Sequence, residues 1–420
     1  MTTAQFERDL KGLLADRRLL LILFFGLRLT LLIVYLPLFS AGMERGMSAG
    51  GDTFTYFQLA GFSADGLLPF RDWWSEFPPI PHFLNVGIFS LLGTNANYTS
   101  FAMIFSLIMI GFDTGNLLLV RAMGTRLHGS LTGAALAWIY ALLAVPMVFI
   151  WWNFEPMAAF FLLLGTYGLL RKHDVRAGVW AGIGALVKFT PALILGAAWR
   201  FRTPGKALRL TVITLAIFGL VYGFLFAQNA AMTWPSLTAQ FNKASYQSVW
   251  ALIDGNYRTG NFGPITDRLN PDRADDVQGN MPVVRGLVRL AAAAGIGLFV
   301  FLQARRQDDK GLVAFVTITL LIFFLQAQGW SPQWMAQIVP LVLLCFPSRQ
   351  GVMVIVLLSL VTFLEYPFLF VRTGDTGGEI TGALVLPFAV LVLTRTLILV
   401  GVCAALYRKL RQEPIPETAR

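Results

Sequence analysis

Several carboxylates follow the first membrane-length apolar segment of the chain. Within residues 51–81 they are Asp52, Asp65, Asp72 and Glu76. A carboxylate at a membrane interface is partly desolvated, which raises its pKa and suits it to accept a proton as a general base. If the segment around Asp72 is helical, Asp72 and Glu76 lie one turn apart on one face. A helix would place Asp52 in the same relation to Tyr56. Residues 51–81 are therefore the candidate site of acid–base chemistry.

Aromatic residues accompany these acids. Trp73, Trp74 and Phe77 suit an aromatic belt at a membrane surface, and their flat faces also suit sugar rings. His82 follows three prolines and is either a phosphate contact or a structural histidine. The alternative interpretation of the whole stretch is a solvated acidic loop beside an interfacial aromatic girdle.

The composition places these residues in a membrane protein. Hydrophobic residues make up 56% of the 420 residues and charged residues 13%, against about a quarter in soluble domains. Many apolar segments approach the ~20 residues that a membrane helix needs, which predicts an all-α, polytopic transmembrane protein of about 10–12 segments. The net charge of +10 comes from short basic clusters between apolar segments. This pattern indicates membrane lipids as partners and disfavours nucleic acid.

The charge pattern also divides the chain. We expect a cytoplasmic amphipathic lead (1–17), a first membrane module (18–227) whose first outside loop is 40–81, a long outside loop (228–284), C-terminal membrane helices (285–407) and a cytoplasmic tail (408–420). The loops 40–81 and 228–284 would then lie on the extracytoplasmic face. Residues 233–257 have apolar residues near helical spacing, which predicts an amphipathic helix that lies on the membrane surface as a lid over a lipid tail. Residues 256–280 are predicted to be an irregular, mobile loop.

One part of this topology stays open. Between residues 94 and 176 the basic clusters fall on the outside if every apolar segment crosses the membrane. The segments 77–93 and 177–199 contain prolines, and proline-broken backbone is tolerated where it lines a cavity inside the protein. If both segments are re-entrant, the conflict disappears.

The motifs D-T-F-T-Y (52–56), G-L-L-P-F-R-D (66–72) and E-F-P-P (76–79) resemble the polytopic glycosyltransferases of the GT-C fold. The resemblance is to the branch with polyprenol-phosphate-dependent mannosyltransferases and arabinofuranosyltransferases. Two further segments, 177–191 and 328–340, are similar to a glycine-rich helix and a Ser-Pro-Gln helix start of that family. The sequence departs from the family pattern at 152–156, where W-N-F-E-P replaces Gly-Gln-x-Asp.

The resemblance implies transfer of a sugar, mannose or another hexose, from a polyprenyl-phosphate donor to a lipid-linked or cell-envelope acceptor, with inversion. Asp52 matches the family's catalytic base. Asp72 and Glu76 match the second acidic motif and would orient the acceptor or raise the pKa of Asp52. The expected donor-phosphate ligands are Lys188, Arg258 and Arg372. The expected acceptor or sugar contacts are Tyr56, Trp73, Trp74, His82, Trp330, Gln333 and Glu365.

Structural alternatives remain for several of these residues. Lys188 could instead extend to the membrane surface or pair with Glu155 or Asp113. Asp113 is predicted to be a structural partner on a neighbouring helix, and Arg258 could form a surface ion pair. Glu365 is open between a structural and a functional role.

No cofactor is expected. A divalent metal is possible through several carboxylates but is not favoured, because no Asp-x-Asp motif occurs and histidines number only 3. Chelation that abolishes transfer, with rescue by Mg²⁺ or Mn²⁺, would contradict this expectation. The competing functions are a transporter or flippase of lipid-linked sugars and a non-enzymatic membrane scaffold.

Overall fold

The computed structural model describes residues 3–35, 52–143, 153–260, 263–276, 279–373 and 378–413. Within these ranges the regular secondary structure is helical, with isolated β-bridges only, so the prediction of an all-α protein is confirmed. The helices are α1 (Thr3–Ala15), α2 (Arg17–Tyr35), α3 (Asp52–Gly61), α4 (Pro79–Leu92), α5 (Tyr98–His128), α6 (Ser130–Leu142), α7 (Glu155–Leu170), α8 (Asp174–Ala185), α9 (Ile194–Phe201), α10 (Pro204–Gln228), α11 (Ala230–Thr233), α12 (Pro235–Asn242), α13 (Val249–Asp254), α14 (Gly286–Gln303), α15 (Asp309–Gln326), α16 (Met335–Cys345), α17 (Arg349–Phe363), α18 (Phe370–Thr373) and α19 (Val385–Arg411).

The long helices have the length and composition of membrane spans. Among the described residues, 6 helical segments are long and apolar enough to cross a membrane: Tyr98–His128, Pro204–Gln228, Gly286–Gln303, Asp309–Gln326, Arg349–Tyr366 and Gly382–Arg411. In each helix the backbone N–H and C=O groups bond to each other within the segment, as the apolar interior of a bilayer requires. The predicted end of the first span at residue 39 lies outside the described residues.

The basic clusters of the sequence gather at one end of this bundle, which we call the basic end. Polar contacts there join clusters that are far apart in the chain, and they keep the charged side chains away from the apolar middle of the bundle. These contacts are Arg202–Asp174 (2.8 Å), Arg126–Asp309 (2.8 Å) and the backbone bond from Arg305 N to Leu410 O (2.8 Å).

The two proline-containing segments form helices that are shorter than a membrane span. The α8–α9 segment begins at Asp174 and is followed by Arg202, and these two side chains pair, so this segment starts and ends at the basic end. The α4 helix packs alongside α3, with the rings of Phe57 and Phe89 5.7 Å apart. The re-entrant interpretation of 77–93 and 177–199 stays a prediction.

A backbone hydrogen bond joins the start of α4 to the break between α8 and α9. Between α8 and α9 the chain leaves the α-helix at Leu186 and resumes through a 3₁₀ turn at Thr190–Leu193 that contains Pro191. Ile80 N, in the first turn of α4, donates to Leu186 O over 3.0 Å. The N–H group at the start of α4 and the C=O group at the end of α8 thus satisfy each other, which broken backbone requires where water is excluded.

The long loop 228–284 differs from the prediction. A single amphipathic helix over 233–257 is wrong: α12 ends at Asn242 and α13 begins at Val249. Gln247 has φ +50°, which a continuing α-helix forbids. The backbone of Tyr246 instead forms hydrogen bonds with the 328–330 segment.

Asp113 forms a buried structural network. It accepts from Arg28 Nε at 2.6 Å and from the hydroxyl of Tyr140, and all three side chains are buried between α2, α5 and α6. The pairing compensates two charges that would otherwise be costly inside the bundle. The expected structural role of Asp113 therefore agrees with its surroundings.

Candidate functional site

Helix ends and helix breaks place the candidate polar side chains. Asp52 is the first residue of α3, and Glu155 is the first residue of α7. Lys188 lies in the break between α8 and α9, and Gln333 lies in the 3₁₀ turn Pro332–Trp334 before α16. Pro156, Pro191 and Pro332 lie beside three of these points, where helices begin or are interrupted. These interruptions let polar side chains meet inside an apolar bundle.

Asp52 is held by neutral hydrogen-bond donors. Its Oδ2 accepts from Gln333 Nε2 at 3.1 Å and from the Tyr56 hydroxyl at 3.5 Å. Among the described residues no cation pairs with it, and the side chain is half-buried. Burial raises the pKa of Asp52 from 3.8 to about 7; Lys188 opposes this rise, whereas Glu76 and Glu155 add to it. The geometry thus combines a partly accessible carboxylate with a pKa near neutrality.

A second polar cluster lies beside Asp52. Lys188 Nζ contacts Glu155 Oε2 at 2.7 Å, and Glu155 Oε1 accepts from Gln337 Nε2. The pair is mostly buried, and the ammonium also lies 5.5 Å from the ring centre of Trp334. The alternative in which Lys188 pairs with Glu155 is the one that the structure contains. Sequence reasoning treated Glu155 only as this partner and missed Gln337.

Glu76 has the opposite surroundings. It is buried and paired with two cations, Lys243 and Arg268, the latter at 3.3 Å. Burial would raise the pKa of Glu76, but these two cations more than compensate and hold it below its usual value. Arg268 also stacks on Trp74, with its guanidinium carbon 4.2 Å from the ring centre. Lys243 and Arg268 were not predicted, because each is remote from Glu76 in sequence.

Asp72 lies apart from both clusters. It pairs with the exposed Arg71 at 2.7 Å and accepts from the Leu68 backbone N at 2.8 Å. A helix around Asp72 is not formed, since Gly66 and Phe70 have positive φ angles. Asp72 and Glu76 therefore do not share a helix face. The charges that act on Asp52 come from Lys188, Glu76 and Glu155.

The aromatic candidates form walls of the site. Trp73 is 1% exposed and lies edge-on to His82, at 5.4 Å between ring centres. The His82 Nε2 is 2.6 Å from the Ser75 hydroxyl. Trp74 Nε1 donates to the backbone of 267 and 270, which attaches the long loop to the first one. The predicted loop 256–280 thus contains 3₁₀ turns packed against residue 74.

Trp330 and Glu365 lie in another buried network, which includes Arg395 and Gln247. Glu365 accepts from Arg395 and from Gln247 Nε2, the latter at 3.1 Å, at a kink where Tyr366 leaves helical geometry. The guanidinium of Arg395 lies 4.3 Å from the ring centre of Trp330. All of these charged groups are compensated within the protein, which is the arrangement expected of structural residues.

A cavity of about 60 Å³, lined by four cationic and three acidic side chains, includes Glu76 in its wall. Tyr246 lines this cavity, and burial, with smaller contributions from the charges of Glu76 and Asp52, raises its pKa to about 12. Arg258 lines it as well, and its backbone bridges to Glu379. The side chain of Arg372 lies outside the described part of the structure. The cationic side chains around the cavity are Lys243, Arg258, Arg268 and Arg273.

Metal ligands do not converge at this site. Within the described ranges, no group of three or more His, Cys, Asp or Glu side chains is arranged to hold a metal ion. Asp52, Glu76 and Asp72 each have separate partners, as given above.

Comparison with solved structures gives similar chains of low identity. An oligosaccharyltransferase from Archaeoglobus fulgidus, in its apo form, is 12% identical over 93% of this chain and 55% of that chain, with a TM-score of 0.44. ArnT from Cupriavidus metallidurans, bound to undecaprenyl phosphate, is 15% identical over 93% of this chain and 75% of that chain, with a TM-score of 0.48. The chain thus spans about half the length of the archaeal enzyme. A search of curated proteins gives no significant match.

A protein-family comparison gives a match over residues 78–327 to glycosyltransferase family 87. The matched range contains Glu155, Lys188, Lys243 and Arg268, and it begins just after the first acidic loop. The prediction of a membrane glycosyltransferase is confirmed, whereas the GT-C fold stays a prediction. Because the match covers more than half of the sequence, the chain belongs to glycosyltransferase family 87.

Proposed function

We propose that this membrane glycosyltransferase moves a hexose, such as mannose, from a polyprenyl-phosphate donor to an acceptor hydroxyl, with Asp52 as the general base. The observation that carries the proposal is the environment of Asp52. It is half-buried, it contacts neutral donors, and its pKa lies near 7. A general base is most effective when its pKa lies near the working pH.

The reaction is a single displacement. The acceptor hydroxyl gives its proton to Asp52 while its oxygen bonds to C1 of the sugar. The bond between C1 and the phosphate oxygen breaks, and polyprenyl phosphate leaves with the electron pair. Attack opposite to the leaving group inverts the anomeric centre. Because Gln333 and Tyr56 both contact Oδ2, we assign Oδ1 as the proton acceptor.

Cations beside Asp52 are suited to the leaving phosphate. Arg258 lines the cavity beside Glu76 together with Lys243 and Arg268, and Lys188 acts electrostatically on Asp52. Charge-assisted hydrogen bonds from such groups stabilise the negative charge that develops on phosphate. We propose Lys188, Arg258 and Arg372 as phosphate ligands, with the two cations on Glu76 as additional ones.

The sugar and the acceptor would contact the wall residues of the site. Tyr56 and Gln333 lie on Asp52 itself, so they are the closest candidates for acceptor contacts. Trp73, Trp74, His82, Trp330 and Glu365 would act by shaping the surroundings of the site, and Asp72, which lies apart from it, would act only through the first acidic loop. No divalent metal is part of the proposed reaction.

The proposed orientation follows from charge. Basic clusters of membrane proteins lie on the cytoplasmic side, and the candidate site lies at the end opposite the basic end. The site would therefore face the extracytoplasmic side. The acceptor would be a lipid-linked or cell-envelope glycan at that surface.

The test is transfer by the purified protein in proteoliposomes. Polyprenyl-phosphate-linked mannose is supplied with an extract of envelope lipids, and mass spectrometry follows new glycosidic bonds, with the glucose and arabinose donors for comparison. The proposal expects a glycosylated lipid with inverted anomeric configuration. A product of retained configuration would contradict it, and so would movement of the donor across the membrane without a new bond, which is the result expected of a flippase.

A further inference from the structure

A second concentration of positive charge lies at the basic end, remote from the candidate site. Four arginines line one cavity of about 710 Å³ there: Arg17, Arg121, Arg126 and Arg171. They come from the start of α2, the last turns of α5 and the residue that follows α7. Their convergence is therefore produced by the fold and not by one basic run of sequence.

The protein compensates this charge only in part. Among the described residues, a carboxylate contacts one of the four arginines: Asp309 lies 2.8 Å from Arg126, and both of these side chains are partly exposed. Arg121 donates through Nη2 to Ala15 O, and its buried Nη1 has no hydrogen-bond partner in the described structure. A buried donor without a partner costs free energy, and like charges around one cavity repel each other. An anion with several acceptor oxygens would relieve both costs.

The general enrichment of basic residues at cytoplasmic membrane surfaces explains why arginines occur at this end. It does not explain why they line one cavity together with apolar side chains. The rest of its wall is formed by Leu118, Leu119, Ala122, Thr125 and Tyr167, most of which are apolar. This mixture of an apolar wall and guanidinium groups suits a molecule that has both a phosphate group and an apolar part.

From this arrangement we propose that the cavity binds the phosphate group of an anionic phospholipid. Guanidinium groups bind phosphate through paired hydrogen bonds. Several arginines around one phosphate neutralise its negative charge and fix its orientation. A bound phosphate would connect α2, α5 and α7 at the basic end. The site is separate from the proposed sugar transfer and does not depend on it.

The main test variant is Arg17→Gln with Arg171→Gln. Both side chains are exposed and neither makes a side-chain hydrogen bond to the described protein, so the fold does not rely on them. The matched control is Arg176→Gln with Lys206→Gln, which removes the same charge from exposed positions outside the cavity. Arg121→Gln is a second variant that removes the buried donor.

The purified proteins are delipidated in detergent and titrated with phosphatidylglycerol, with phosphatidylcholine or with inorganic phosphate. Native mass spectrometry counts bound lipids, and the thermal midpoint reports stabilisation. We expect one retained phosphatidylglycerol and a raised midpoint for the parent and the control. The double variant should bind it about tenfold more weakly, since it loses charge-assisted bonds.

Each outcome has a definite meaning. Stabilisation by phosphatidylglycerol that the double variant loses and the control keeps supports the lipid site. Equal stabilisation by inorganic phosphate, lost in the same variant, would assign the phosphate site to a soluble ligand and overturn its lipid occupant. Equal lipid binding by the control and both cavity variants would overturn the site itself.

Discussion

Two carboxylates of the first acidic loop differ in their partners. Asp52, at the start of α3, contacts an amide and a hydroxyl, and its pKa is raised to about 7. Glu76 is buried against two cations, and its pKa is lowered. One carboxylate can therefore exchange a proton near neutral pH, and the other stays ionised.

This difference shows that partners, and not position in a motif, separate a candidate base from a structural acid. Both residues belong to the same acidic stretch, and sequence alone gave them related roles. Glu76 receives two positive charges from the long loop, so it ties that loop to the first one. Asp52 has no ion-pair partner among the described residues, and burial outweighs the opposing effect of Lys188, so its pKa rises.

The largest expected effect comes from Asp52→Asn, which keeps the size of the side chain and removes the base. Removal of a general base lowers a rate by about 10² to 10⁴-fold, and we expect a loss in this range in the proteoliposome assay. The thermal midpoint should change little, because the described ion pairs do not include Asp52. Transfer at the parent rate would show that another group takes the proton.

Glu76→Gln should act on stability instead. Loss of this carboxylate leaves Lys243 and Arg268 buried without their counter-charge, which costs about 3 kcal/mol. We expect a lower thermal midpoint and release of the long loop, measured by unfolding in detergent and limited proteolysis. The control is Glu76→Gln with Lys243→Gln, which removes both charges and should recover part of the loss. An unchanged midpoint for Glu76→Gln would contradict its assigned structural role.

Gln333→Leu tests how the Gln333 amide affects the pKa of Asp52. The Gln333 amide donates to the carboxylate and stabilises its charged form, so its removal raises the pKa of Asp52 further. The base must be deprotonated to act, and the rate at pH 7 should fall about tenfold, with recovery at higher pH. A rate that falls equally at every pH would mean that Gln333 acts on the substrate and not on Asp52.

The smallest effect is expected for Asp72→Asn. Asp72 pairs with an exposed arginine near the surface, and such pairs contribute about 0–1 kcal/mol. Transfer rate and thermal midpoint should stay within about threefold and a few degrees of the parent. A loss as large as that of Asp52→Asn would give Asp72 a direct part in the chemistry.

Much of the fold follows from apolar segments and prolines. Composition predicts the all-α membrane architecture, and the prolines at 78–81 and 191 predict helix interruptions where the structure has the start of α4 and the 3₁₀ turn Thr190–Leu193. These signals are local, because helix length and helix breaking depend on neighbouring residues. The acidic loop after the first span can also be recognised from the sequence, because its carboxylates are neighbours in the chain.

The contacts that separate Asp52 from Glu76 could not be predicted in this way. Lys243 and Arg268 reach Glu76 from the long loop, far away in the sequence, and no local pattern marks them as partners. The same holds for Gln337 on Glu155. The broken helix at Gln247 depends on bonds with the 328–330 segment, so tertiary contacts override a helical apolar spacing there.

The central claim is that Asp52 is the base and titrates near neutrality. The most direct measurement is the pH dependence of single-turnover transfer in proteoliposomes between pH 5 and 9, for the parent and for Asp52→Asn. Ionised Asp52 is the active form, so the parent rate should rise with pH to a plateau, with a midpoint near 7. The variant should be slow throughout, without this rise. A parent rate that is flat over the range, or a variant that keeps the same midpoint, would contradict the account.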